Sequence, residues 1–304
     1  MNNKGKIWMD GEFVEWNNAK IHILTHAMHY GTAVFEGIRC YDTKNGPAIF
    51  RLKDHVRRLA NSCKMYHMTI QFSEKDLADA IVQTVRVNNV KECYIRPLCY
   101  YGYGKMGVNP LPNKVSASIA LWDWEDHIKT EENKGMRVIV SSWTRIDSRS
   151  LPMHAKATAN YANSALARIE AIKSGADEAI MLNMSGMVVE GTAENIFLVR
   201  DNTLITPPLS SGALDGITRS TVLSIAQDLG VRSQICDITR DEMYYADEVF
   251  LTGTAAGIKS IGEIDKIIIA NGKVGKIAAQ LQDSYYQIVH GEIAKFDKWL
   301  TYVN

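Results

Sequence analysis

The sequence lacks an excess of charge of either sign. Its 304 residues carry 34 Lys+Arg against 34 Asp+Glu, and the pI is near 7.1. Without a single-sign field, nucleic acid and anionic membranes are poor partners on charge grounds. Paired cysteines are lacking too. Cys40, Cys63, Cys93, Cys99 and Cys236 are odd in number, scattered and never spaced as CxxC. That argues against a disulfide frame or a zinc site and points to reduced intracellular thiols. The opening MNNKGKIWMDGEF has no apolar signal-peptide core, and no apolar run approaches membrane-spanning length. Low-complexity tracts and internal repeats are missing as well. These absences lead to the expectation of a soluble cytoplasmic protein with no metal site.

What the sequence does have is apolar material for a core, at 46% hydrophobic residues. Its length suits one large domain or two. Asp10-Gly11 between Lys6–Met9 and Glu12–Glu15 marks a hairpin. Ala33–Tyr41 and Ala48–Arg51 are strand-like. Leu52, Val56, Leu59, Cys63 and Tyr66 recur at helical spacing. Ser73 with Asp76 forms a capping box before Leu77, Ile81 and Val85. Strands are expected over Glu92–Tyr101 and Lys114–Trp122. The polar DWEDHIKTEENK, 123–134, has no periodicity and is assigned as a linker between domains 1–122 and 135–304.

The second section opens with a strand over Met136–Ser141. A helix is expected from about Ala157 to Ser174, stopped by Gly175. Hairpins follow at Ser185-Gly186 and Asp201-Asn202, then a helix over Thr218–Leu229, a strand over Glu248–Thr252, and a closing helix from about Lys273 to Gly291 with a short tail. Hairpins beside helices imply a mixed α/β (α+β) fold and not a purely parallel sheet.

Several segments carry chemistry, and each has a plain alternative. Gly102-Tyr-Gly104-Lys-Met-Gly107 fits GxGxxG, but Pro110 and Pro112 follow where a dinucleotide site needs a helix, so it is read as a glycine-rich loop. Leu214–Arg219 precedes a patterned helix. Its Gly216 and Thr218 suit an anion at a helix N-terminus, or Asp215 or Thr218 simply caps the helix. One of Arg57-Arg58 could turn inward as a phosphate clamp; both could equally be solvated. Lys156 stands among small and apolar neighbours at an expected helix start. Partial burial there favours the neutral amine that a Schiff base requires, whereas an exposed lysine would be slightly unfavourable. Glu190 ends an apolar strand, either as a surface charge or as a buried carboxylate paired with a cation. Thr252–Gly257 leaves a strand with exposed amides suited to a carboxylate, or is only a loop.

Together these pieces resemble the fold-type IV pyridoxal-phosphate aminotransferases, most closely the branched-chain amino acid aminotransferases. The resemblance covers nearly the whole chain. It includes His26–Thr32, Val34–Arg39, Tyr94–Leu98, Met106–Pro110, Lys156 with Asn160-Tyr161, Glu190-Gly191 with Glu194-Asn195, Leu214–Arg219 and Gly253–Ala256. It implies a small N-terminal α/β domain and a larger, barrel-like C-terminal domain with flanking helices, with the cofactor between them. It implies transamination of Leu, Ile and Val with 2-oxoglutarate by a ping-pong mechanism, and at least a homodimer.

By resemblance, Lys156 is the Schiff-base lysine and proton carrier, Glu190 meets the pyridine nitrogen, and Tyr161 meets the 3′ oxygen. Arg58, Gly216, Ile217, Thr218 and Thr254 surround the phosphate. Tyr94, Thr254, Ala255 and Ala256 hold the α-carboxylate. Phe35, Tyr30 and Trp124 form the apolar side-chain pocket, Gly37 and Arg39 also bind substrate, and Arg96 with Tyr30 recognises the distal carboxylate. Gly257-Ile258-Lys259 and His127 depart from the family pattern at the pocket rim. The alternatives are a D-amino acid aminotransferase or aminodeoxychorismate lyase and, more remotely, a non-enzymatic phosphate-binding module.

Overall fold

The computed structural model describes residues 5–123 and 134–303. Trp124 and His127 lie outside the described residues. The chain divides into two compact units. One comprises Met1–Glu125, Ala155–Ala159 and Gln287–Asn304; the other comprises Asp126–His154 and Asn160–Tyr286.

The first unit is built on one sheet. Its strands are β1 (Lys6–Met9), β2 (Glu12–Glu15), β3 (Ala33–Phe35), β4 (Ile38–Thr43), β5 (Gly46–Phe50), β6 (Cys93–Tyr101), β7 (Val115–Trp122) and a tail strand, Leu300–Tyr302. The order is tail, β5, β4, β6, β7, β1, β2, with β3 also on β6. Asp10 and Gly11 both take positive φ, as the β1–β2 hairpin requires. Helix α1 (His26–Tyr30) is short. Helices α2 (Leu52–Met65) and α3 (Glu74–Asn88) bury Val56, Leu59, Leu77, Ile81 and Val85 in a core with Trp8, Ile95 and Ile119. The capping box is present: Ser73 accepts from the Asp76 amide, and Asp76 from the Ser73 amide.

This arrangement departs from the division expected at 1–122 and 135–304. The tail antiparallel pairs Leu300 with Phe50 and Tyr302 with Ala48, and so completes the first unit's sheet. The Ala155–Ala159 segment joins that unit through β3. A short tail after a helix carries no local sign of its partner strand, which lies some 250 residues earlier in the sequence (Leu300 against Phe50).

The second unit contains β8 (Met136–Val140), β9 (Glu178–Leu182), β10 (Val188–Gly191), β11 (Asn195–Arg200), β12 (Thr203–Thr206), β13 (Arg232–Ile235), β14 (Glu248–Gly253), β15 (Gly257–Ile264) and β16 (Ile267–Ile268). β10, β9, β8, β15, β14 and β11 follow one another, and β11 pairs back to β10, closing a six-stranded barrel. Both parallel and antiparallel pairs occur in it. Met136, Ile180, Val188, Ile196, Leu251 and Ile261, one from each barrel strand, are fully buried in one cluster. Helices α4 (Asn160–Lys173), α5 (Ile217–Asp228) and α6 (Lys276–Val289) flank the strands, and Gly175 follows α4 at φ +74°. Mixed α/β architecture is therefore what the sequence pattern implied, and a barrel-like second unit what the resemblance implied. Among the described residues no helix is long and apolar enough to cross a membrane, and no group of three or more His, Cys, Asp or Glu could hold a metal.

Candidate active site

In the first unit, Ala33–Tyr41 is not the single strand its composition suggested. β3 and β4 both pair with β6, and Glu36-Gly37 interrupts them. The Glu36 amide donates to Pro97 O at 2.9 Å, so the interruption stays tied to β6. A Cβ on Gly37 would overlap the Tyr94 hydroxyl, so only glycine lets that phenol approach the backbone.

Lys156 does not stand at a helix start, because α4 begins only at Asn160. Its segment instead runs alongside β3. Phe35 N donates to Lys156 O and Thr158 N to Ala33 O, both at 2.9 Å, with a bridge between Val34 and Ala157. The Lys156 amide donates to Ser62 Oγ on α2 at 3.0 Å. Strand-like pairing on one side and a helix hydroxyl on the other fix the backbone that carries the lysine. Its Nζ lies 5.2 Å from the centroid of the Phe35 ring.

The same ring carries the Arg96 guanidinium, 4.6 Å from its centroid. Tyr94 and Trp122, cross-strand partners on β6 and β7, place their rings 5.5 and 5.4 Å from that cation. Two residues apart on β6, Tyr94 and Arg96 share a face. Aromatic faces attract the guanidinium without neutralising it. Among the described residues, Arg96 Nε is buried with no hydrogen-bond partner.

Two other expected pocket residues make contacts apart from this cation. Arg39 lies opposite Tyr94 in register, but its guanidinium pairs with Glu92 and lies 4.5 Å from the Tyr41 centroid. Tyr30 packs its ring at a tilt against His26, 4.5 Å between centroids, and is 40% exposed. Of the arginine pair, Arg57 is exposed beside Asp54, while Arg58 turns inward onto Glu36.

In the second unit, Glu190 is buried on β10. Arg145 Nη2 meets its Oε1 at 2.8 Å, and the Leu214 amide and Asn195 Nδ2 donate to its Oε2 at 3.1 and 3.3 Å. A strand-end surface charge is thus ruled out. Arg145 is itself buried and also donates to Ser164 Oγ at 3.2 Å. Helix α5 begins on Gly216 with no side-chain cap, so neither Asp215 nor Thr218 acts as the expected cap. Gly216 has an ordinary φ of −73°, and a Cβ there would overlap Asn195 Oδ1. The absence of a side chain leaves room for the Asn195 amide. Ile217 and Thr218 are buried at the helix start, and Tyr161 is half-buried on the first turn of α4. Thr254, Ala255 and Ala256 form the turn between β14 and β15, where Gly253 pairs with Gly257. Gly257 takes φ +66°, which closes this turn.

The profile of class IV amino-transferases matches residues 33–264. The chain belongs to that family. The branched-chain-amino-acid aminotransferase of Pseudomonas aeruginosa is 43% identical over 300 residues, 98% of this chain and 97% of its own length. The enzyme of the same name from Escherichia coli K12 is 40% identical over the same shares. A T.th. branched-chain amino acid aminotransferase, solved in complex with N-(5′-phosphopyridoxyl)-L-glutamate, superposes with a TM-score of 0.95 at 47% identity, covering 99% of each chain. The enzyme from Thermoproteus uzoniensis, solved with norvaline, gives 0.95 at 42% identity over 99% of this chain and 100% of its own.

In this class IV aminotransferase, sequence reasoning missed four site neighbours: Glu36, His55, Arg145 and Asn195. Glu36 and Asn195 lay inside quoted motifs without assigned roles. Arg145, in SSWTRID, carried no local signal.

Proposed function

We propose that the chain is a branched-chain-amino-acid aminotransferase that works with pyridoxal 5′-phosphate. It moves the amino group of L-leucine, L-isoleucine or L-valine to 2-oxoglutarate in two alternating half-reactions. The observation that carries this reading is the Phe35 ring, which holds both the Lys156 amine and the Arg96 guanidinium. A reacting amine and a carboxylate-binding cation on one apolar surface suit a substrate that is aliphatic in one half-reaction and acidic in the other. The activities named for the relatives, and the pyridoxyl ligand of the solved neighbour, support it.

The residues present fit the cofactor. Helix α3 spends Ser73 and Asp76 on its N-terminus, and the Glu248 carboxylate accepts from the Ile277 and Ala278 amides at the start of α6. Helix α5 has no such side-chain cap, which leaves its first amides suited to a phosphate. Arg58, Ile217, Thr218 and Thr254 take that phosphate, with Gly216 setting the turn. When bound, the cofactor supplies an electron-withdrawing ring that stabilises a carbanion at the substrate Cα.

Lys156 would hold the cofactor through its amine, and that same amine would be the group that takes the substrate Cα proton. Glu190, fixed by Arg145 and two hydrogen bonds, favours a proton on the ring nitrogen by charge. Tyr161 donates to the phenolic oxygen. Tyr94, Thr254, Ala255 and Ala256 hold the α-carboxylate. Phe35, Gly37, Tyr30 and Trp124 line the side-chain pocket, with Arg39 at its edge, and Arg96 takes the distal carboxylate.

The protein works as a homodimer in this reading. Ile23, Met28 and Tyr30 from and around α1, with Val108 and Leu111 of the loop between β6 and β7, are exposed apolar side chains. The Thr25–Tyr103 bridge and the 2.7 Å His26–Gly107 hydrogen bond join that loop to α1. The five free thiols suit a reducing cytoplasm.

The test is an absorbance titration of the purified protein. The visible band of bound cofactor should bleach with L-leucine and return with 2-oxoglutarate. Lys156→Ala should stay folded and show neither change. Turnover of D-alanine without turnover of L-leucine would overturn the substrate assignment.

A further inference from the structure

Glu36 gathers several polar contacts at one carboxylate. It is fully buried, and its carboxylate meets four N–H donors, among them the Gly37 amide, 3.3 Å from Oε2. Arg58 Nε donates to Oε1 at 2.6 Å and Arg58 Nη2 to Oε2 at 2.8 Å, a two-point fork. His55 Nδ1 lies 2.7 Å from Oε2. Burial alone would raise the Glu36 carboxyl, but the Arg58 cation and His55 outweigh it and hold the group well below the usual carboxylate range. Burial pushes His55 down, with the Arg58 and Lys156 charges acting in the same direction against the pull of Glu36. An ionised carboxylate only accepts, so Nδ1 is the donor in this contact.

The cluster reaches the lysine segment through one hydroxyl. Ser62 Oγ donates to Arg58 O at 2.9 Å and accepts from the Lys156 amide at 3.0 Å. One turn of α2 thus carries Arg58 and fixes the backbone of Lys156. A buried ion pair is weak grounds for stability, since apolar replacements of similar volume are often neutral or better. What a two-point carboxylate adds is direction: it sets the plane of the guanidinium.

We infer that Glu36 is a positioning residue, whose carboxylate presets the Arg58 fork so that a phosphate ester meets an oriented guanidinium and not merely a nearby cation. This rests on the reading of Arg58 as a ligand of the cofactor phosphate. It also runs against simple charge counting. Glu36 cancels the charge of Arg58, so on charge alone its removal should tighten phosphate binding. If orientation matters more, removal should loosen it.

The full-length protein is titrated with pyridoxal 5′-phosphate and, separately, with pyridoxal, which lacks the phosphate. Absorbance reports binding and circular dichroism reports folding. In Glu36→Gln, the preference for the phosphorylated compound should fall roughly tenfold or more, as when a group that orients a ligand-binding residue is lost. Affinity for pyridoxal should hold within about twofold, inside the context scatter of single interactions. Arg58→Lys keeps the charge and loses the fork, so it should lose the preference to the same extent; this variant decides the matter if Glu36→Gln fails to fold. An unchanged or increased preference in either variant overturns the inference, and so does an equal loss for both compounds. If the wild-type protein binds neither compound, or binds them equally, the functional reading of Arg58 fails instead.

Discussion

At the scale of single residues, Arg96 is the most exacting position. Its guanidinium lies over Phe35, Tyr94 and Trp122, and its Nε has no hydrogen-bond partner among the described residues. Ring faces tolerate an aliphatic neighbour, and the cation still attracts a carboxylate. Arg96→Met should therefore raise KM for 2-oxoglutarate by roughly 30-fold or more, the worth of a charge-assisted pair, and change KM for L-leucine little. Equal losses in steady-state kinetics would remove this role. Glu194 is the second such position. Burial and the neighbouring Glu178 push its carboxyl up to about 8, against the Ala193 amide and Arg168. The folded state thus holds a proton that the unfolded chain, near 4.5, has released. Its contribution to stability is present at acidic pH and is lost as pH rises towards about 8. Glu194→Gln should gain in Tm relative to wild type across that window, and a difference independent of pH would contradict the assignment. Both residues stood in quoted motifs. Only the fold shows that Arg96 meets rings from two other strands and that Glu194 meets Glu178.

At the scale of elements, local chemistry was legible where it repeated at short range. The Asp10-Gly11 turn, the apolar faces of α2 and α3 and the Ser73 capping box all follow from residues within one or two turns of each other. Ser73→Ala removes the hydroxyl that holds the Asp76 amide and should lower stability by about 1 kcal/mol in a denaturant titration. No change would mean that α3 is set by its packing alone. Elements whose partners are distant were not legible. β13 is exposed throughout and is a strand only because it lies parallel to β12. β15 spans β14 and β8, from different parts of the chain. Ala33–Tyr41 reads as one strand because nothing local announces that the Tyr94 hydroxyl needs Gly37. The helix before Asn160 was overextended because small residues around Lys156 suit a helix as well as they suit pairing with β3.

At the scale of the whole molecule, the chain order and the two units do not coincide. Deleting Leu300–Asn304 removes the partner of β5, the Val303 carbonyl that takes two bonds from Arg86 at 2.9 and 3.1 Å, and the buried Val303 side chain. The expected result is unit-specific. By hydrogen exchange, amides of β5 and α3 should lose protection while those of the barrel strands keep it. Uniform loss across the molecule would show that the units do not respond separately. Composition could have suggested two domains, but not that the first recruits the tail and the Lys156 segment.

That recruitment sets an order on biosynthesis. A ribosome releases the chain from its N-terminus, and domains generally fold as they emerge. The first unit emerges ahead of the second but waits for Ala155–Ala159 and then for Gln287–Asn304, whereas the second is complete once Tyr286 has left the tunnel. The unit that starts first therefore finishes last. Until then β5 offers an unpaired edge to other nascent chains, so the tail strand also ends the interval in which this protein is most open to misassembly.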